Sequence, residues 1–215
     1  MRFLIGDPNG AIADYTHSLD LNPNNVNGYV NRGNAWDELG NHQAAITDYN
    51  RAIDLQPDFA PAYLNRCLSY SNLEQQQQAI TDCTKAIELR PDHPFAYQNR
   101  GLVRRRLGDL TGAMEDFNIT IKLNSNDPDP FYNRGVTRLE LGDDRGAIED
   151  FSAALKIYPD HIFAHYDRGI AYNNLDQKTD ALADFTQAAK LCLDSSRVDC
   201  YRDAQYQIEQ LNLKP

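Results

Sequence analysis

The sequence predicts an all-α protein, a solenoid of stacked antiparallel helix pairs. Three observations predict it. The chain of 215 residues superimposes on itself at a shift of 34 from end to end without a gap. Within each period, apolar residues recur at helical spacing. The residues that start and stop helices stand at the same phase of every period.

The columns are explicit. One position reads Ala11, Ala45, Ala79, Ala113, Ala147, Ala181, and three residues later it reads Asp14, Asp48, Asp82, Asp116, Asp150, Asp184. The next position reads Tyr15, Tyr49, Cys83, Phe117, Phe151, Phe185. Pro23, Pro57, Pro91 and Pro159 close most periods, with Ser125 and Leu193 departing from the rule.

Each period holds two helices. In the second helix of one period, Ala147, Ile148, Phe151, Ala154 and Leu155 draw a single apolar stripe at 3.6 residues per turn. Asn41, Asp109 and Asp143 stand as N-caps, and Asp7-Pro8 is a cap followed by proline in the first turn. Gly40, Gly108 and Gly142 end the preceding helices, where glycine tolerates a left-handed backbone. Gly33, Gly101, Gly135 and Gly169 share a column on the first helix. Small residues there and in the alanine column let two antiparallel helices approach closely, and the aromatic column fills the space beside them. One pair cannot bury its apolar face alone, so pairs must stack into a continuous core with a concave face.

The expected organisation is a partial N-terminal repeat at 1–25, mainly its second helix, followed by five full repeats over 26–195 and a capping helix with a tail at 196–215. The full repeats run 26–59, 60–93, 94–127, 128–161 and 162–195. In the partial repeat Ile5-Gly6 aligns with Leu39-Gly40, so the helix at 8–21 lacks its partner. Either the chain is a fragment of a longer solenoid, or Ile12, Tyr15 and Leu19 form a docking or self-association face. In the cap, Val198, Tyr201, Ala204, Ile208 and Leu211 make one apolar stripe.

The pattern resembles the tetratricopeptide-repeat (TPR) family. One unit carries the likeness in Tyr29, Gly33, Trp36, Leu39-Gly40, Ala45, Tyr49, Ala52 and Pro57. An Asn-Arg-Gly core at Asn31 to Gly33, Asn99 to Gly101 and Asn133 to Gly135 is similar to repeats common in bacterial, including cyanobacterial, members. The resemblance implies a right-handed superhelix whose inner groove binds peptides or protein segments, without catalysis. Three departures stand out: Cys67 replaces glycine, and Arg104 and Arg138 replace the aromatic seen at Trp36 and Tyr70.

Composition narrows the partners. The net charge of −10 repels phosphate backbones, so nucleic acid is not expected. No apolar run reaches the length of a membrane span, so membrane insertion is not expected, and a cytoplasmic location follows from the lack of any address in the sequence. No phosphate loop, nucleophile elbow or zinc-protease motif occurs, so no enzyme activity and no cofactor are expected. His161 and His165 are one turn apart but lack a third ligand, so no metal is expected. Cys67 and Cys83 occupy core columns and read as buried thiols, whereas Cys192 and Cys200 flank a turn and could pair in an oxidising compartment.

Two polar series remain. Arg32, Arg66, Arg100, Arg134 and Arg168 share the period of the aspartate column, and structural ion pairs between the two helices are the simplest reading. The other reading is a basic stripe for an acidic ligand. The series Asn31, Asn65, Asn99, Asn133 and Asp167 sits one residue earlier, on the column that in the family lines the groove. A carboxamide can donate to and accept from an extended backbone, or it can serve local helix packing. Residues on the same face include Val30, Asn34, Leu64, Leu68, Phe95, Gln98, Arg105, Arg106, Tyr132, Leu139, Phe163, Tyr166 and Asn173. Tyrosine and arginine anchors place the expected peptide site at 95–173, for a segment of some acidic character. The lysines that some family members use to clamp a terminal carboxylate are missing from this face. The expected function is a scaffold, adaptor or assembly factor that holds a protein partner. The alternative is a regulatory or targeting portion of a larger enzyme or secretion component.

Overall fold

A computed structural model describes residues 7–213, and the alignment at Ile5-Gly6 lies outside them. Among the described residues there are twelve α-helices and no strand. They are α1 (Pro8–Leu21), α2 (Val26–Glu38), α3 (His42–Leu55), α4 (Ala60–Asn72), α5 (Gln76–Leu89) and α6 (Pro94–Arg106) in a first unit that ends at Asp109. A second unit starts at Leu110 and holds α7 (Leu110–Leu123), α8 (Pro128–Glu140), α9 (Asp144–Ile157), α10 (Ile162–Asn174), α11 (Lys178–Asp194) and α12 (Val198–Leu213). In the first unit α2 packs on α3 and α4 on α5; in the second, α8 packs on α9, α10 on α11 and α11 on α12. No helix of the described residues is long and apolar enough to cross a membrane.

Local chemistry sets the helix ends. Asp7, Asn41 and Asp143 accept bonds from the backbone N–H of Gly10, Ala44 and Gly146, which satisfies donors that the first turn leaves open. Gly40, Gly108 and Gly142 have φ of +74°, +80° and +77°. Glu74, Asp176 and Ser196 adopt the same left-handed backbone in the turns that lack glycine. There the Cβ meets the following carbonyl at a cost of roughly 1–2 kcal/mol.

The columns become layers of core. Ala45, Ala79, Ala113, Ala147 and Ala181 are fully buried, as are Tyr49, Phe117, Phe151 and Phe185. The glycine column exists because the aromatic ring lies against it. A Cβ on Gly135 would sit 2.7 Å from the Phe151 ring, and one on Gly169 would sit 2.8 Å from the Phe185 ring. At 67 and 83 the same two positions hold cysteines. The expectation of buried thiols there is corrected: Cys67 and Cys83 form a disulfide, with Cα atoms 5.4 Å apart. The physical reason is the close approach itself, which brings side chains 16 residues apart into contact. Cys192 and Cys200 are also bonded, tying α11 to α12.

The arginine column is structural. Arg32 Nε lies 2.8 Å from Asp48 Oδ2 and Nη2 lies 2.7 Å from Oδ1, a two-pronged bond between α2 and α3. Arg66 holds Asp82, Arg134 holds Asp150 and Arg168 holds Asp184 in the same way. The remaining nitrogen reaches backwards, to the helix before. Arg32 Nη1 donates to Thr16, Arg66 to Asn50, Arg134 to Asn118 and Arg168 to Ser152. Each guanidinium thus joins three helices. An aromatic column lies beside it: Tyr29 and Tyr63 donate through their hydroxyls to the carbonyls of Pro23 and Pro57. His165 occupies that column, bonds the Pro159 carbonyl through Nε2 and approaches Asp184 to 2.9 Å through Nδ1.

Two expectations about the ends need correction. Leu19 is not an exposed docking residue; it is 5% exposed and packs where α2 passes at Gly28. In α12, Ala204 and Leu211 are buried and Tyr201 and Ile208 pack on the core, but Val198 is 56% exposed because it begins the helix beyond the end of the stripe.

Removing one partner of a bidentate, largely buried pair strands the other. Asp48→Ala is expected to destabilise the chain by about 3 kcal/mol, and Arg32→Met/Asp48→Leu to recover most of that loss, as read by urea unfolding. Burial alone would raise the Asp184 carboxyl, but bonds from Arg168 and His165 outweigh it and hold the group below its ordinary 3.8. A lowered carboxyl contributes stability that is present above its unfolded value and lost as pH falls toward the folded one. Asp184→Asn should therefore lower the urea midpoint at pH 7, and its gap from the parent should narrow as pH falls below the ordinary carboxyl value of 3.8.

Candidate functional site

In the first unit the face that carries the candidate residues is partly consumed by internal bonds. Asn65 donates to Asn34 Oδ1 at 2.7 Å, linking α4 to α2. The Tyr49 hydroxyl lies 2.8 Å from both Asn34 Oδ1 and Asp37 Oδ2. Ser69 donates to Asp37 at 2.7 Å, and His42 Nδ1 lies 2.8 Å from the same carboxylate. Burial and the Asp37 carboxylate push the Tyr49 phenol far above its usual range. Asn34 Oδ1 and Asn65 Nδ2 thus take part in a polar seam between successive pairs. Nothing in the one-residue columns signalled Asp37 or Ser69, because each occurs once at its phase. Asn31 is exposed and Asn99 half-buried on the same helix positions, and Phe95 is 51% exposed. Arg106 reaches back to Ser71 Oγ at 2.6 Å, while Arg105 is half-buried.

In the second unit the candidates converge. Tyr132 on α8 donates its hydroxyl to Asp167 on α10 at 2.8 Å. Its ring stands 4.7 Å from His161, whose Nδ1 caps α10 by accepting from Ala164. Burial lowers the His161 imidazole below its usual value. Tyr166 packs edge-on against Phe185 and accepts a bond from Gln207 of α12. Tyr132, Tyr166 and Asp167 border a recess of about 200 Å³. It is lined by Tyr132 of α8, by Ile162, Phe163, Tyr166 and Asp167 of α10, by Ala188 and Cys192 of α11, and by Cys200 and Asp203 of α12. Phe163 is 46% exposed, with the Arg197 guanidinium 5.0 Å from its ring centre.

Of the predicted residues, Tyr132, Tyr166 and Asp167 meet at this recess. Asn133 is buried on α8, and Asn173 lies half-buried further along α10. Sequence reasoning missed Ile162, Cys200 and Asp203. The available signal was the longer α11, which delays the start of α12 beyond a 34-residue step from Ile162 and carries Asp203 into the position that Asp167 holds on α10. His161 and His165 serve as a cap and as an Asp184 partner, and no group of three potential metal ligands occurs among the described residues.

The recess is apolar with carboxylates at its edge, and it contains no nucleophile–base pair. Such an arrangement can hold a side chain and orient a backbone. Family comparison agrees with the repeat architecture. A family profile described as Tetratricopeptide repeat matches residues 26–59 and 60–93, and a second of the same description matches 132–194. Among solved structures, MamA is 22% identical, with 77% of this chain and 96% of that chain covered at a TM-score of 0.71. YrrB, titled a TPR protein with an unusual peptide-binding site, is 21% identical, with 89% and 97% covered at 0.69. A thermophilic TPR protein from Thermus thermophilus is 18% identical, with 84% and 99% covered at 0.67. At these identities the likeness is one of fold. No curated protein matches. With repeat profiles over more than half its length and the helix pairs they imply, the chain belongs to the tetratricopeptide-repeat family.

Proposed function

We propose that this chain is a protein-interaction module that holds a segment of another polypeptide on the face formed by α8, α10 and α12. The observation that carries this reading is the recess bounded by Tyr132, Phe163, Tyr166 and Asp167. It offers aromatic surface on two helices, α8 and α10, together with polar groups able to fix a backbone. Aromatic anchors in a pocket supply most of the affinity in protein recognition. A recess of about 200 Å³ is below the range of roughly 300–1,000 Å³ typical of small-molecule sites, which suits one inserted side chain. YrrB carries a peptide-binding site on the same fold, which supports the assignment. In the first unit Asn31, Phe95 and Asn99 are proposed as a separate contact surface of that unit.

The test is affinity capture from the native cells by the parent chain and by Phe163→Asp, with folding of both verified by thermal melting. Phe163 is exposed enough for the substitution to leave the core intact. A partner held by the parent and lost from Phe163→Asp is the expected result. Retention of every partner by the variant would remove this site.

A further inference from the structure

We propose that the recess receives an apolar side chain of a basic peptide, with arginine or lysine adjacent to the inserted residue. The proposal rests on the reading above and specifies its guest. Two carboxylates, Asp167 and Asp203, line the otherwise largely apolar recess, one from α10 and one from α12. Asp129 is exposed and close enough to act on the His161 imidazole. From Leu110 onward the sequence contains 18 Asp and Glu against 11 Lys and Arg. A guest rich in carboxylates is repelled by that field, and a cationic guest is drawn in. The aromatic walls favour the same guest, since a cation gains from the face of a ring. Arg197 already uses the Phe163 ring in this way. The arginines that suggested an acidic guest, Arg105 and Arg106, belong to the first unit, where Arg106 is bound to Ser71.

The experiment uses the full chain and two fluorescein-labelled peptides, one with a central Arg-Phe-Arg and one with Glu-Phe-Glu in otherwise identical Gly-Ser sequence. Anisotropy titrations should give at least about tenfold tighter binding for the arginine peptide at low salt, narrowing at high salt. Asp203→Asn should weaken the arginine peptide several-fold and leave the glutamate peptide unchanged or improved. If the glutamate peptide binds as well and Phe163→Ala abolishes both, the recess is a binding site and the basic guest is wrong. If neither peptide binds below about 1 mM, a free energy near −4 kcal/mol, the reading of the recess falls as well.

A separate observation carries a second inference. All four cysteines are paired, and Cys67–Cys83 stands where three other repeats pack glycine against an aromatic ring. Both sulfurs are fully buried between α4 and α5, so the bond replaces a packing contact with a covalent one. We infer that the chain folds and works in an oxidising compartment. Each bond joins two thiols with loss of two protons and two electrons to a disulfide donor of that compartment, and reducing cytosol does not sustain such bonds. This replaces the cytoplasmic location expected from the sequence. Acid-quenching native cells and alkylating the chain under denaturing, non-reducing conditions, followed by intact mass, should find no modified cysteine, whereas any modified cysteine in the bulk of the chain would overturn the inference. Cys67→Gly/Cys83→Phe supplies the control. It should melt close to the parent without that bond, while Cys67→Ser/Cys83→Ser should melt well below both. Equal melting of the serine pair and the parent would show that the bond holds nothing.

Discussion

Everything in this molecule hangs on a guanidinium that touches three helices at once. Arg32, Arg66, Arg134 and Arg168 each grip an aspartate on the partner helix and a polar side chain on the helix before. Apolar burial alone would let one helix pair slide along the next, because alanine and leucine stripes are tolerant of register. A planar fork with five fixed donors is not. It sets both the angle within a pair and the step to the preceding helix. The aspartates are almost wholly buried, so the pairs are specific only while complete.

The second constraint is proximity. Glycine opposite an aromatic ring lets two helices come closer than side chains normally allow, and Gly33, Gly135 and Gly169 are used in this way. The Cys67–Cys83 repeat reaches a similar closeness by another route. Two small thiols fill less space than a ring, and the bond between them offsets the lost contact area. One geometry is thus satisfied by either dispersion or covalency. Tyr49 adds a third variation, since its hydroxyl must find partners in the core and does so at Asn34 and Asp37.

Most of this architecture is legible in the sequence because it is repeated. The alanine, aspartate and arginine columns predict both the helix pairs and the bonds that tie them, and the glycines at 40, 108 and 142 mark real left-handed turns. What occurs once is harder to see. Asp37 and Ser69 bond across two repeats but belong to no column, so the seam that occupies Asn34 and Asn65 has no periodic signal. The Cys67–Cys83 bond was visible only by asking which columns touch, a question of distance rather than pattern. In the site, Tyr132, Tyr166 and Asp167 were legible as one face, but Asp203 was not, because the longer α11 breaks the period before α12.

The reach of each arginine, 16 residues forward to aspartate and 16 back to the preceding helix, has a consequence for how such a chain changes length. Excising residues 60–93 would bring Arg100 against Asn50 in the place that Arg66 now holds, with every bond type preserved at the splice. A deletion one residue longer or shorter would rotate the guanidinium by about 100° around its helix and leave the buried aspartate facing methylene groups. Genetic drift in the number of repeats is therefore quantised: whole units can be gained or dropped by unequal recombination, while every intermediate length is poisoned at the joint.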